Sequence, residues 1–590
     1  MTKILSFDSV FIVNPIRKIY TAAISKILNG KISKNTRLIL YRLDKDNVFL
    51  TDESNITGVT VGATYDSIDS MSIKFYRYIE KSEWCNSLSI NNIPLYQLYP
   101  RQVKLKLEGV LRGALRIKNL SNESKQNIHI ITDRQSASIM KEAFKFLNYT
   151  PANVTWKVNG LLTLCITINS LIMRFAAIIN MYISSSSLPN EYFYKHVNSN
   201  APTVLITTPK NRPADFFSMY IKKFSDEFNI IFYSLGILKI TPDKYQRKRF
   251  KKTTRVFNGI FNIKNLFLSP ESYIADVLLI FKNHSDLNIS VDAVNSIFSN
   301  QIDAHISRCQ TNALDAYFSI EARKKGIFVL ADIEEEIFYC DSAICPSKSN
   351  NRGSVKMAVA KGGKILYKGN NSMINYRLKN FKGKNPYYLR ELLGIDAQQK
   401  IIFYASDPSK EESQRYLTEK FLFDYFSEKN EFILIVKTHP QDKGRITNRA
   451  FIETGMSKKI ILVGDAAQRG KMVSKHFTLI ENFNFNCAIA SSDGFLTSSS
   501  SSILQALLLD VKTGVIDKFE NGFYDFLINR KASVQIFDKE SLKYFLDNKK
   551  INLSGDVISH FGLKNDDEEF DLQSCLLECM NDFYRNKKKA

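Results

Sequence analysis

From residue 400 to 516, short runs of branched and aromatic residues alternate with helix-like stretches and polar loops. This alternation constrains the chain more than any other feature. Strand-like runs fall at 401–404 (IIFY), 432–436 (FILIV), 460–463 (IILV), 494–496 (GFL) and 513–516 (TGVI), with helical stretches at about 411–428, 487–490 and 503–509. Apolar runs this short, separated by helices, are the pattern of a parallel sheet buried on both faces. A second series precedes it: strands at 204–207, 230–233, 326–330 and 364–367, an amphipathic stretch at 216–228 and a helix at 314–325. Two such units joined near 380–400 would face each other across a cleft. Upstream, 37–41 (RLILY) reads as a strand, 128–132 (IHIIT) leads into a helix at 136–147, and the serines at 184–187 with the polar stretch to Asn200 read as a linker. The expected division is therefore 1–200, an N-terminal α/β region with an apolar helix; 201–385, a first Rossmann-like domain; and 386–590, a second one with C-terminal helices.

A chain of 590 residues exceeds what one core supports, and 44% hydrophobic with 24% charged residues is a globular composition. The formal charge of +22 points to an anionic partner. Its densest run, 244–255 (KYQRKRFKKTTR), reads as a solvated loop. The aromatic-glycine patterning of RNA-binding sheets is lacking, so no nucleic acid is expected. Eight dispersed cysteines form no CxxC pair and no zinc-ligand spacing, which reads as reduced thiols in a cytoplasmic protein without a metal site. Residues 1–12 have neither an apolar core nor a cleavage site of the signal-peptide kind. The one apolar stretch of membrane length, Gly160–Ile183, is interrupted by Asn169, Arg174 and Asn180, so packing in the protein or lying in a membrane interface is favoured over spanning.

Ligands of open parallel sheets bind beyond the carboxyl ends of the strands. Two loops of the last unit emerge there. Lys437, Thr438, His439 and Pro440 follow the strand at 432–436, and Pro440 biases His439 toward an extended conformation. The imidazole of His439 can donate to a phosphate and add charge as the cation. The second loop, 497–502 (TSSSSS), precedes the helix at 503–509, so Ser500, Ser501 and Ser502 fall where hydroxyl and amide donors cluster. Taken singly, a His-Pro pair is commonest in turns and a serine run in linkers. Both at strand ends of one unit suggest a phosphate seat.

The segments 432–440 (FILIVKTHP) and 500–516 (SSSILQALLLDVKTGVI) resemble the C-terminal domain of GT-B glycosyltransferases that use cytidine nucleotides: bacterial sialyltransferases, polysialyltransferases and capsule Kdo transferases, and more distantly the CDP-glycerol glycerophosphotransferases. Gly369 and Asn370 look like the step that precedes the second domain of such enzymes. The resemblance implies a GT-B fold, a nucleotide-sugar donor, and contact of His439, Pro440, Ser500 and Ser501 with the nucleotide phosphate, assisted by Lys437. Gln505 stands where many of these enzymes carry an acid, and no His-Gly motif of the glycerophosphotransferase kind is present.

Inverting transfer also needs a carboxylate to take the acceptor's proton. In the related enzymes it follows a late strand of the first domain, which makes Asp332 the leading base, Glu334 the reserve, and Asp315 and Asp276 weaker candidates. The resulting expectation is an inverting, metal-independent GT-B glycosyltransferase without a cofactor. It would take a CMP-linked sialic acid-like or Kdo-like sugar to a glycan or glycolipid acceptor in bacterial surface polysaccharide synthesis, in the cytoplasm and peripherally at the inner membrane face. Two other readings compete: a CDP-polyol phosphotransferase of teichoic acid-like polymers, and a noncatalytic polyanion-binding protein.

Overall fold

The computed structural model describes residues 9–13, 37–42, 47–50, 65–81, 89–90, 93–123, 127–150, 153–183, 191–208, 224, 227–234, 246–249, 257–258, 291–307, 313–332, 338–345, 353–360, 362–367, 385–406, 412–438, 444–465, 476–481, 483–517, 524–547, 555–562 and 571–589. Residues 216–223, 225 and 226 of the expected amphipathic stretch, the Gly369-Asn370 step and Asp276 lie outside them.

The N-terminal region holds a sheet of its own. Strands β1 (Ser9–Val13), β2 (Arg37–Arg42), β3 (Asn47–Leu50), β4 (Ile128–Thr132) and β5 (Val154–Val158) run in the order β3-β2-β1-β4-β5. All neighbours are parallel except β2 and β3. Helices α1 (Tyr65–Glu80) and α2 (Pro100–Glu123) contact each other, and α3 (Arg134–Phe146) starts at Asp133, whose carboxylate accepts from the Ser136 amide at 2.8 Å. Helix α4 (Gly160–Ile183) follows β5 and buries Leu162, Ser170 and Arg174. No helix among the described residues is long and apolar enough to cross a membrane.

The second sheet contains β6 (Glu191–Lys195), β7 (Thr203–Thr208), β8 (Asn229–Ser234), β9 (Gln246–Arg249), β10 (Ala304–Ser307), β11 (Phe328–Asp332), β12 (Ser342–Cys345) and β13 (Ile365–Tyr367). Their order is β9-β6-β8-β7-β10-β11-β12-β13, antiparallel only where β6 meets β8 and β9. Two sequence expectations change here. Part of the expected linker is β6, because Tyr192, Phe193 and Tyr194 form a strand-favouring aromatic run. Part of the basic run expected as a loop is β9, an edge strand of sequence QRKR; charge on an edge discourages pairing with another sheet.

Residues alternate between the two faces of this sheet. Leu205, Ile231, Tyr233, Val329 and Ala343 join a core with Phe75, Tyr76, Leu107, Leu111 and Ile139 of the N-terminal region and Phe318 of α5 (Ala313–Lys324). The Tyr76 and Tyr339 hydroxyls bond at 2.8 Å, and Arg77 donates to the Phe338 carbonyl at 2.8 Å, across this junction.

The third sheet has β14 (Lys400–Ala405), β15 (Phe432–Lys437), β16 (Ile460–Asp465), β17 (Phe477–Ile480), β18 (Gly494–Thr497), β19 (Thr513–Ile516) and β20 (Val534–Ile536). It is wholly parallel, in the order β17-β16-β15-β14-β18-β19-β20. Ile401, Phe403, Ile433, Ile435 and Phe495 face one core, and Ile402, Tyr404, Leu434, Val436 and Leu496 the other. Burial on both sides is why these strands read as continuous apolar runs. Two Rossmann-like sheets in one chain, with an additional N-terminal region, give the GT-B-like fold class expected from the sequence.

The outer face of the second sheet is closed by the end of the chain. Leu572, Leu576, Cys579 and Met580 of α9 share a core with Val204, Ile206, Ile230, Ile306, Phe328 and Leu330; the helix spans Leu572–Lys589. Lys364 pairs with Glu578 at 2.7 Å and Asp582 at 2.6 Å, and Tyr584 donates to the Asp303 carbonyl at 2.7 Å. Both α9 and β6 therefore cross the expected divisions at 386 and 201. Leu576→Ala should cost about 2–5 kcal/mol, the usual result of a cavity in a buried core. Lys364→Ala, whose ion pairs stand in solvent, should hardly move the unfolding midpoint; urea titration measures both.

Candidate functional site

The chain leaves β14 in one direction through β15, β16 and β17, then returns to the other side of β14 with β18. The strand order thus reverses between β14 and β18, and ligands of such sheets lie in the crevice beyond the carboxyl ends at that point. Register makes those ends level: Ala405 pairs with Lys437 on one side and Thr497 on the other. The next residues out are Thr438, Ser406 and Ser498, so three hydroxyl-bearing residues follow the ends of three adjacent strands. All three are buried.

Their hydrogen bonds differ. Ser406 donates its hydroxyl to Glu419 Oε1 at 2.6 Å, and that oxygen also accepts from Arg415 Nε at 2.9 Å; both partners lie on α6 (Glu412–Ser427). The Ser406 proton is therefore committed. Thr438 Oγ1, Ser498 Oγ and Ser499 Oγ, by contrast, are buried hydroxyl oxygens without a hydrogen-bond partner among the described residues. Leaving such groups unpaired costs about 1–3 kcal/mol each, so three at one strand edge point to a polar guest.

Serines 500–502 serve partly to start the helix that follows. The Ser500 amide donates to Thr497 Oγ1 at 3.1 Å, the Ser502 amide to Ser500 Oγ at 3.3 Å, and the Ser500 and Ser502 hydroxyls bond each other at 3.1 Å. Ser501, at the cap, is exposed and makes no side-chain capping bond. Lys437 is buried, donating to the Thr438 carbonyl at 2.9 Å and lying 5.8 Å from the Phe483 ring centroid. Gln505 donates to Asn486 Oδ1 at 2.9 Å, which ties α8 (Ser502–Leu508) to α7 (Phe485–Ala490). His439 and Pro440 fall outside the described residues; in sequence they follow Thr438 directly.

The second sheet has its own reversal between β7 and β10, with Thr207 level with Ser307. Asp315 of α5 lies between these ends: Thr207 donates to Oδ1, and Ser307 donates to Oδ2 at 3.0 Å. His305 Nε2 meets Thr207 Oγ1 at 2.9 Å and stands 3.9 Å from Asp315 Oδ1. Burial holds this histidine neutral, pushing its pKa down from 6.5 to about 3. The contact with Asp315 is therefore not an ion pair at neutral pH. Asp332 is the buried last residue of β11, one strand beyond β10, and not part of a loop after the strand. Glu334 lies outside the described residues.

The structure thus sets Lys437 and Ser500–Ser502 around one carboxyl edge, and Asp332 with Asp315 at that of another sheet. Sequence reasoning placed no weight on Ser406, Ser498 and Ser499. Ser406 was within reach of it, as the hydroxyl that ends the strand run after 401–404.

No protein-family model matches the chain, and no curated relative matches it. Among solved structures, the S. aureus MnaA–UDP co-structure is similar at 11% identity and a TM-score of 0.35, covering 65% of this chain and 97% of that one. The Methanocaldococcus jannaschii UDP-GlcNAc 2-epimerase in complex with UDP-GlcNAc and UDP is 12% identical, with a TM-score of 0.35 and coverage of 61% and 98%. For sucrose-phosphate synthase from Thermosynechococcus elongatus the values are 10%, 0.35, 66% and 98%. Likenesses of this size decide nothing about activity; the fold rests on the chain's own sheets.

The neutral His305 has a measurable consequence. Between pH 6.5 and about 3 the unfolded imidazole binds a proton that the folded one does not, so its contribution to stability is complete above pH 6.5 and falls on acidification. His305→Gln should make the fall in stability over this window shallower by about 1.4 kcal/mol per pH unit. Urea unfolding at several pH values tests this; an unchanged slope would refute it.

Proposed function

We propose that the chain is an inverting glycosyltransferase taking a nucleotide-activated, CMP-linked sugar of the sialic acid or Kdo kind in bacterial surface polysaccharide synthesis. One observation carries this reading: buried hydroxyls of Thr438, Ser498 and Ser499, unpartnered among the described residues, at the crevice where a wholly parallel sheet reverses its strand order. Hydroxyl donors with free protons at such a crevice suit phosphate oxygens. Lys437 adds positive charge on the β15 side, His439 follows Thr438 in the sequence and would add to it, and Ser500 to Ser502 adjoin on the β18 side.

In this reading Thr438, Ser498 and His439 hydrogen-bond the nucleotide phosphate, whose negative charge grows as the bond between sugar and phosphate oxygen breaks. Asp332, with Glu334 in reserve, takes the proton of the acceptor hydroxyl as its oxygen bonds the anomeric carbon from the opposite face. The acceptor is a glycan or glycolipid, met peripherally at the inner face of the membrane.

Hydrogen bonds to a charged group contribute about 1.5–3 kcal/mol, so Thr438→Val, Ser498→Ala and His439→Ala should each weaken CMP binding on the order of 10- to 100-fold. Calorimetric titration with CMP, CDP and UDP measures this, and native affinity in all three variants would remove the phosphate assignment. Asp332→Asn should lower turnover of CMP-sugar by about 10²- to 10⁴-fold with donor binding retained; full turnover would exclude Asp332 as the base. Turnover of CDP-glycerol but not CMP-sugars would move the assignment to polyol-phosphate transfer.

A further inference from the structure

Helix α4 carries an apolar stripe outside the nucleotide site. Leu164, Ile168, Ile172, Phe175 and Ile179 are between 48% and 59% exposed. Their spacings of four, four, three and four residues confine them to an arc of about 80° on a helix of 100° per residue, over a length of about 22 Å. Leu162, Ser170 and Arg174 lie toward the other side and are buried, so among the described residues one face of the helix is covered and the opposite one exposed. Val158, two residues before the helix, is 48% exposed as well. Monomers rarely leave a continuous row of large apolar side chains in water without a use for it.

Charge and area select the occupant. No Asp or Glu occurs between Glu142 and Glu191, although acids make up 59 of the 590 residues, and the chain as a whole carries +22. Lys157 within that interval is exposed, and the exposed Lys145 is paired with Glu142 at 2.7 Å. Such a surface meets no repulsion from anionic headgroups. Five half-exposed side chains in single file offer roughly 400–500 Å², about half of what each partner buries in a standard protein interface. A narrow apolar stripe on a helix that cannot span is instead the form that lies in a membrane interface, its apolar face sunk about 5–10 Å.

We propose that the exposed face of α4 docks the protein onto an anionic lipid surface, with Leu164, Ile168, Ile172, Phe175 and Ile179 entering the headgroup–acyl boundary. This docking face deepens the membrane-side assignment made above and rests on it only for the anionic lipid; the nucleotide site takes no part.

The test is co-sedimentation of the full chain with vesicles of phosphatidylcholine mixed with phosphatidylglycerol, and with vesicles of phosphatidylcholine alone. The native protein should sediment with the mixed vesicles, and Ile168→Asp combined with Ile172→Asp should lower its partition by about tenfold or more. Both positions are exposed, so the double variant should keep its far-ultraviolet circular dichroism and native CMP affinity. Phe175→Trp should show blue-shifted emission on adding the mixed vesicles. Native protein left in the supernatant, equal sedimentation of the double variant, or no spectral shift would overturn the proposal. A native dimer in analytical ultracentrifugation that the double substitution dissociates, with no vesicle binding, would assign the face to a second copy. Loss of CMP binding in the native chain would count against the transferase reading alone.

Discussion

The level register of β15, β14 and β18 is the constraint on which the candidate site depends. Parallel strands pair at a fixed offset, and here Lys437, Ala405 and Thr497 are drawn into one row. Whatever follows each strand must emerge at the same height, so Thr438, Ser406 and Ser498 are brought together by backbone pairing before any side chain interacts. A slip of one residue in any of these strands would turn every apolar side chain to the opposite core and scatter the hydroxyls. The two cores that flank the sheet hold the register, and the register holds the site.

A similar economy joins the rest of the chain. The second sheet has one face against helices of the N-terminal region and the other against α9, the last helix. Segments far apart in sequence therefore complete one unit, and the carboxyl edge with Asp332 and Asp315 depends on all of them. Buried polar groups mark the joints. The neutral His305 with Thr207 and Asp315 links two strand ends to a helix, and the Tyr76–Tyr339 hydroxyl pair ties the N-terminal helices to the second sheet.

Much of this was legible in the sequence where burial is two-sided. The runs at 401–404 and 432–436 are apolar at every position because each face has a core, and the structure extends these strands by only a residue or so. Helices α1 and α2 were less legible. Lys104 is buried against Asp69, and Arg116 is buried within α2, so charges occupy positions that an apolar periodicity would fill. The antiparallel placement of β6 and β9 depends on a partner strand remote in sequence. For β6 the aromatic run 192–194 was a local signal that the polar residues around it masked, whereas nothing in the QRKR of β9 separates a strand from a loop. In the serine run, composition showed five hydroxyls but not how they divide: Ser500 and Ser502 bond each other, whereas Ser498 and Ser499 keep buried oxygens unpaired among the described residues.

The central claim is that the crevice between β14 and β18 receives the phosphate of a nucleotide. A crystal structure of the protein soaked with CMP tests it most directly. The account predicts the phosphate beyond the carboxyl ends of β14 and β18, with oxygens within hydrogen-bond distance of Thr438 Oγ1 and Ser498 Oγ. CMP bound elsewhere in the molecule, with those hydroxyls contacting only water, would contradict it.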